Sequence, residues 1–100
     1  MGKVHLKIPP FFAYIVEPTA SDWLILEKEI GKETTIRDFL TDLASNNSGF
    51  RDVVFNPDEG AISDQIAVVI NQKLLDIPRE MDIKLNDGDV ITLLPVYAGG

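Results

Sequence analysis

Apolar and polar residues alternate near the amino end of the chain, which is the pattern of a half-buried strand. Val4, Leu6 and Ile8 are separated by polar residues, so one face of the segment is apolar and the other is polar. Pro9-Pro10 follows and lacks two backbone donors, which ends a strand ladder. The pattern therefore predicts a first strand of about five residues, over positions 4–8.

The next apolar run, Trp23-Leu24-Ile25-Leu26, begins a second predicted strand over positions 23–30, whose later positions are mostly charged. Residues 11–22 then connect the two strands of a hairpin. A connection of this length is uncommon in a small domain, and long loops often carry binding residues. We therefore expect the connection to take part in partner contact.

Thr35 and Asp38 have the spacing of a capping box, in which each residue satisfies a backbone donor of the other at the start of a helix. Apolar residues then recur at helical spacing, at Ile36, Phe39, Leu40, Leu43 and Ala44. Asn46-Asn47-Ser48-Gly49 is expected to end the helix, because Asn and Gly readily adopt the left-handed conformation that closes helices.

The second half of the chain predicts three more strands. Residues 66–70 form a nearly continuous apolar run, typical of a central strand covered on both faces. Residues 74–75 form a short strand after the turn at Asn71-Gln72-Lys73, and residues 89–95 form the last strand after the turn at Asn86-Asp87-Gly88.

Between the helix and these strands, residues 50–55 form a run too short to classify, and residues 56–60 predict a turn. The order of elements is then strand, strand, helix, strand, short strand, strand, which is the β-grasp order. We predict an α+β fold with a mixed sheet of about four to five strands and one main helix on one face. Residues 1–100 are enough for a single domain and too few for two.

The composition excludes several kinds of chemistry. The chain has no cysteine, so disulfides, thiolate metal sites and cysteine nucleophiles are excluded. No apolar run approaches the ~18 residues of a membrane span, and the amino end lacks the apolar stretch of a signal peptide. We therefore expect a cytoplasmic protein that makes no contact with membranes.

The 16 acidic and 9 basic side chains give a net charge of −7, which repels nucleic acid and anionic lipids. The acids are spread along the chain, as on a solubilising surface; a basic docking face on a partner protein is the alternative. The single histidine, His5, has no second ligand near it in sequence, and the isolated glycines form no phosphate-binding loop. We predict no metal site and no stably bound cofactor.

Gly99-Gly100 closes the sequence and is the candidate reactive site. Glycine has no Cβ, so this pair can thread a narrow channel and present an unhindered carboxylate, with a frayed, functionless end as the alternative. We expect residues 96–100 to be mobile until a partner's channel orders them. Of Phe11, Phe12 and Tyr14, we expect one or two in the core and the rest exposed. The candidate partner-binding residues are Pro95, Val96, Tyr97, Ala98, Gly99, Phe11 and Phe12.

Several segments resemble the MoaD/ThiS family of sulfur carriers. Asn86-Asp87-Gly88-Asp89-Val90, leading to Ala98-Gly99-Gly100, resembles the end of that family, and the last fifteen or so residues are the specific part. Upstream segments are also similar: Val69-Ile70-Asn71-Gln72, Gly49-Phe50-Arg51 with Asp58-Glu59-Gly60, and Ile8-Pro9-Pro10-Phe11. One departure is that many relatives place an arginine shortly after the Ile-Pro exit, where this chain has Ala13-Tyr14-Ile15.

The resemblance implies a ubiquitin-like β-grasp carrier that is not itself an enzyme. An ATP-dependent activating enzyme of the MoeB/ThiF type would adenylate the Gly100 carboxylate, and persulfide sulfur would convert it to a thiocarboxylate. The resemblance also implies a sulfur-accepting synthase, such as the large subunit of molybdopterin synthase, as a second partner. Molybdopterin synthesis is the favoured pathway, and thiamine, cysteine and tungsten-cofactor relatives share the same tail. The rival interpretations are a ubiquitin-like modifier joined to other proteins through Gly100 and an interaction module with an inert tail.

Overall fold

The computed structural model of the protein describes residues 2–76 and 79–96. One five-stranded sheet has the order β2-β1-β7-β5-β6, and β3 and β4 form a separate hairpin. The strands β1 and β7 are parallel, and the other neighbours in the sheet are antiparallel. The elements are β1 (Gly2–Ile8), α1 (Pro10–Ala13), β2 (Leu24–Ile30), α2 (Ile36–Asn46), α3 (Ser48–Val53), β3 (Phe55–Asn56), β4 (Ala61–Ile62), β5 (Ile66–Ile70), β6 (Lys73–Leu74) and β7 (Val90–Pro95).

One hydrophobic core joins the helices to one face of the sheet. Alternate residues of three strands are buried there, and the buried side chains of α2 belong to the same cluster. The buried strand residues are Val4, Leu6, Ile8, Ile66, Val68, Ile70, Ile91 and Leu93. The predicted apolar stripe of the helix, from Ile36 to Ala44, is buried in full. The predicted α+β class and its mixed sheet with a helix-covered face are therefore confirmed.

The amino terminus of α2 is closed by the predicted capping box. Thr35 Oγ1 accepts a hydrogen bond from the Asp38 N–H, and Asp38 Oδ2 accepts one from the Thr35 N–H, each across 3.1 Å. Two further N–H groups of the first turn, those of Ile36 and Arg37, donate to the carbonyls of Ile83 and Met81. The capping box and the segment that precedes β7 therefore together satisfy the first-turn donors of the helix.

The predicted left-handed closure of α2 is wrong. Asn47 is extended, with φ of −150°, and its side chain accepts a hydrogen bond from the Phe50 N–H at 2.9 Å. Asn47 is therefore the N-cap of α3, and most of the segment that the sequence left unclassified is helical. Asn favours N-caps as well as left-handed turns, and here the N-cap conformation is the one adopted.

The prediction that residues 66–70 are covered on both faces is also wrong. Ile66, Val68 and Ile70 are buried, whereas Ala67 and Val69 are partly exposed on the opposite face. The physical reason is that the core lies on only one face of the sheet. At the amino end, β1 begins at Gly2 rather than at position 4, because Gly2 pairs with Ile30 of β2.

Candidate functional site

The carboxyl ends of β1 and β7 lie side by side, because these neighbouring strands run in parallel with Leu6 opposite Ile91. At this end of the sheet β1 continues into α1, and β7 continues into Val96. We call residues 9–13 and 94–96 the exit end. It brings together the aromatic segment and the start of the carboxyl-terminal segment, which the sequence predicted separately as partner-binding residues.

Val96 is still held by the sheet. Its N–H donates to the carbonyl of Gln65 across 2.8 Å, one step beyond the last residue pair of β5 and β7. The predicted end of the last strand at Pro95 is confirmed, and the Val96 N–H adds one backbone hydrogen bond beyond it.

Pro95 is the last residue of β7 and lies opposite Ile66. The Val90 carbonyl accepts a hydrogen bond from the Asn71 N–H, and the Val96 N–H donates to the Gln65 carbonyl. The backbone N–H and C=O groups of the even-numbered residues of β7 therefore point toward β5. The nitrogen of Pro95 points the other way, past the end of β1. Proline is tolerated at this position because the donor it lacks would have had no partner in the ladder.

The predictions for Tyr97, Ala98, Gly99 and Gly100 fall outside the described residues. Their proposed reactivity, their mobility and their contacts with a partner stay predictions.

The expectation that one or two of the three aromatic residues at positions 11–14 lie in the core is met only in part, because none of them is fully buried. Phe11 is 63% exposed and Tyr14 is also exposed, whereas Phe12 is half-buried and packs against the core. The rings of Phe11 and Phe12 meet edge to face, with centroids 5.9 Å apart. Phe12 therefore anchors α1, and Phe11 is the one of the pair whose ring is available to a partner.

Apolar side chains also line the face of the sheet opposite the core, which we call the open face. One cross-strand row on this face consists of Ile25, Lys7, Thr92, Val69 and Leu74. The next row toward the exit end contains Leu94 opposite Ala67, and Val96 follows. The sequence does not predict this surface, because the continuous apolar run of residues 66–70 predicts a strand buried on both faces. The signal for an open face is the single predicted helix, which can cover only one side of the sheet.

On the open face, β1 carries a line of three basic residues, Lys3, His5 and Lys7. Lys3 and His5 both contact Glu27 of β2, at 3.2 and 3.3 Å. The hydrogen bond from Lys3 and its charge, with a smaller contribution from His5, hold the pKa of Glu27 below its usual value. Among the described residues Lys7 has no ion pair, so the open face presents a cation within an otherwise uncharged row.

Asn71 connects the turn after β5 to the start of β7. Its φ of 57° is left-handed, its Oδ1 accepts the Val90 N–H at 2.9 Å, and its Nδ2 donates to Asp89 Oδ1. The second Asp89 oxygen accepts the Asn86 N–H at 2.8 Å. Two of the segments that carry the family resemblance are therefore in direct contact, and they fix where β7 begins.

Metal binding and membrane insertion find no support in residues 2–76 and 79–96. Within these ranges no group of three or more His, Cys, Asp or Glu is placed to hold a metal ion. No helix in the same ranges has the length and apolar character needed to cross a membrane.

A sequence model of the ThiS family matches residues 11–100. No curated protein matches the chain significantly. Among solved structures, small archaeal modifier protein 1 from Haloferax volcanii is 18% identical, with 97% of this chain and 100% of that chain covered and a TM-score of 0.73. A putative molybdopterin converting factor subunit 1 from Pyrococcus furiosus is 22% identical, with 97% and 100% covered and a TM-score of 0.69.

Urm1 from Trypanosoma brucei is 18% identical, with 99% of this chain and 96% of that chain covered and a TM-score of 0.72. At such identities the likeness shows the fold alone. It confirms the predicted ubiquitin-like β-grasp fold.

Proposed function

The chain belongs to the ThiS family, and we propose that it is a sulfur carrier whose reactive group is the carboxylate of Gly100. The observation that carries the proposal is that the family match extends through residue 100 and so includes Gly99-Gly100. In this proposal the chain is the substrate of other enzymes and catalyses nothing itself.

The first step is adenylation by an ATP-dependent enzyme of the MoeB/ThiF type. The Gly100 carboxylate attacks the α-phosphorus of ATP, which forms an acyl-adenylate and releases pyrophosphate. The activating enzyme binds the ATP and stabilises the charge that develops on its phosphates. Adenylation is needed because a carboxylate is a poor electrophile, whereas AMP is a good leaving group.

The second step exchanges oxygen for sulfur. The terminal sulfur of a persulfide attacks the acyl carbon and expels AMP, which leaves an acyl disulfide. A second thiol then attacks the distal sulfur, forms a new disulfide and releases the thiocarboxylate. Both sulfur-bearing groups come from other proteins, because the chain has no cysteine.

The open face and the exit end form the docking surface for the activating enzyme in this proposal. Leu94 and Val96 are exposed on the open face, and Phe11 is exposed at the exit end. This surface includes Val96, which is four residues from Gly100 in sequence, so an enzyme bound there is close to the point from which the chain continues toward Gly100. We expect the enzyme to place a carboxylate near Lys7 and basic residues around the rim, where they meet the net charge of −7.

Molybdopterin synthesis is the pathway that we propose. The Pyrococcus furiosus neighbour is named as a putative molybdopterin converting factor subunit 1, and this name supports the choice. The acceptor of the sulfur is then the large subunit of molybdopterin synthase. Carriers for thiamine or cysteine synthesis are alternatives with the same chemistry at Gly100.

A second candidate function is protein modification. The Haloferax volcanii neighbour is named as a small archaeal modifier protein, which favours this alternative. A modifier uses the same adenylate but transfers the Gly100 acyl group to a lysine amine, with release of AMP and formation of an isopeptide bond.

Intact-mass analysis of the protein isolated from its native cell tests the proposal. A sulfur-for-oxygen mass increase located in the carboxyl-terminal fragment supports the carrier. A ladder of conjugates that share this chain supports the modifier, and a parent mass alone contradicts both. A variant that lacks Gly100, isolated in parallel, is the control and should show neither product.

A further inference from the structure

β2 is an edge strand whose outward backbone groups have no hydrogen-bond partner among the described residues. Just before the strand, the Trp23 N–H donates to Asp22 Oδ1. The direction of the outward groups follows from β1. The His5 N–H donates to the Asp89 carbonyl, and the Lys3 carbonyl accepts from the Gly88 N–H. The backbone N–H and C=O groups of the odd-numbered residues of β1 therefore point toward β7.

The backbone groups of the even-numbered residues of β1 therefore point toward β2, where Leu6 lies opposite Leu26. It follows that the N–H and C=O groups of Ile25 and Glu27 point away from the sheet, toward solvent.

The amino-terminal half of this edge is apolar on both faces. Trp23, Leu24, Ile25 and Leu26 all lack full burial, and Ile25 is 56% exposed. Natural sheets usually protect an open edge with charges, short strands or bulges. In β2 such protection is confined to Glu27-Lys28-Glu29, whereas the opposite edge of the sheet is the two-residue strand β6.

We propose that β2 pairs with β2 of a second copy of this chain, in an antiparallel arrangement about a two-fold axis at Ile25. The two Ile25 residues then lie opposite each other and exchange their N–H and C=O groups. On the core-side face, Leu24 of each copy packs against Leu26 of the other. The same surface is used by both copies, so the assembly closes as a dimer.

Charge complementarity supports this register. Asp22 and Lys28 form no ion pair within the described residues, and the register places Asp22 of one copy opposite Lys28 of the other, twice. A shift by one residue would place each residue with outward backbone groups opposite a residue whose groups already bond to β1 of its own sheet. Two adjacent registers are also allowed. One sets Ile25 against Glu27 and Leu24 against Lys28, which matches apolar residues with charged ones. The other sets Ile25 against Trp23 but places Asp22 opposite Leu26 and Lys28 opposite Ala20, so both charge pairs are lost.

Sedimentation velocity of the full chain over a concentration series tests the dimer. The paired surface is small for a stable interface, so we expect a dissociation constant on the order of 100 μM and a limiting mass twice that of one chain. Ile25→Lys places two ammonium groups on the axis and should weaken the dimer at least roughly tenfold. Leu74→Lys, an equally drastic change at an exposed apolar residue of the opposite edge, should leave it unchanged.

Charge reversal tests the register. Asp22→Lys and Lys28→Asp should each weaken the dimer, and the double variant should restore it. Thermal melting followed by circular dichroism checks that each variant is folded. A chain that stays monomeric at millimolar concentration, a dimer that tolerates Ile25→Lys, or a double variant no better than the single ones would overturn the proposal.

Discussion

Asn71 donates its side-chain amide to the carboxylate of Asp89 across 2.9 Å, which joins the end of β5 to the start of β7. The same side chain accepts the Val90 N–H, and its backbone is left-handed. A residue with a Cβ and no amide loses these hydrogen bonds and also bears the cost of the left-handed conformation.

We therefore predict that Asn71→Ala lowers the free energy of unfolding by roughly 2 to 3 kcal/mol. Asn71→Gly should cost only about 1 kcal/mol, because glycine adopts the left-handed conformation freely but still lacks the hydrogen bonds. Urea denaturation measures both values. Equal losses for the two variants would show that the backbone conformation contributes nothing.

Leu40 is fully buried on α2, within the cluster shared with the sheet. Leu40→Ala should cost roughly 2 to 5 kcal/mol of unfolding free energy, because it removes buried methyl groups and leaves a cavity. Leu74→Ala, at an exposed leucine, is the matched control and should change stability by less than about 0.5 kcal/mol. A loss at Leu40 as small as that at Leu74 would place Leu40 outside the core.

The pKa of Glu27 is lowered by Lys3 in the folded protein, so the ionised carboxylate favours folding. A depressed carboxyl pKa contributes stability above its unfolded value, and the contribution disappears as the pH falls through the folded value. We predict that Glu27→Gln reduces stability at neutral pH and that the difference from the parent shrinks in acid. Glu59→Gln, at an exposed glutamate with no ion pair among the described residues, is the control; if it shows the same pH dependence, the contact with Lys3 is not the cause.

Leu94 and Ile83 are both 37% exposed, but only Leu94 lies on the open face. If the activating enzyme docks there, Leu94→Lys should raise its KM for this chain roughly tenfold, because a charge replaces an apolar contact. Ile83→Lys should leave the KM within about twofold of the parent. ATP–pyrophosphate exchange measures both, and equal effects of the two substitutions would exclude the open face as the docking surface.

Deletion of Gly100 should leave the thermal melting curve almost unchanged, because residue 100 is beyond β7 and outside the described core. Activation should nevertheless be lost, since the new carboxylate falls ~3.5 Å short and ~1 Å of misplacement can cost a hundredfold in rate. Gly99→Val should do similar damage by restricting the backbone. Pyrophosphate exchange at the parental rate by the shortened chain would contradict the sulfur-carrier proposal.

Local chemistry made α2 and most strands predictable from the sequence. Thr35 and Asp38 need only each other to cap the helix, and the alternation in β1 records which side chains are buried. The start of α3 was not predictable in this way, because Asn47 is suited to two conformations and only the packed structure selects one.

The candidate site was predictable only in part. The sequence identified Phe11 and the chain beyond β7, but the open face depends on how many layers cover the sheet, which is a tertiary property. Val69 has the same local signature as its buried neighbours Val68 and Ile70, and it is partly exposed because the core lies on the other side. The sequence does not predict a role for Lys7, because its position between Ile25 and Thr92 follows from long-range strand pairing.

The parallel pairing of β1 with β7 also has a mechanical consequence. β7 is the middle strand of the sheet, and its carboxyl end and the amino end of β1 lie at opposite ends of adjacent strands. A pull between residue 96 and the start of the chain therefore loads the hydrogen bonds between these strands in shear, so they must break together rather than one after another. If an activating enzyme draws the carboxyl-terminal segment into its channel, as we propose, this geometry lets it exert tension on the segment without peeling the fold apart.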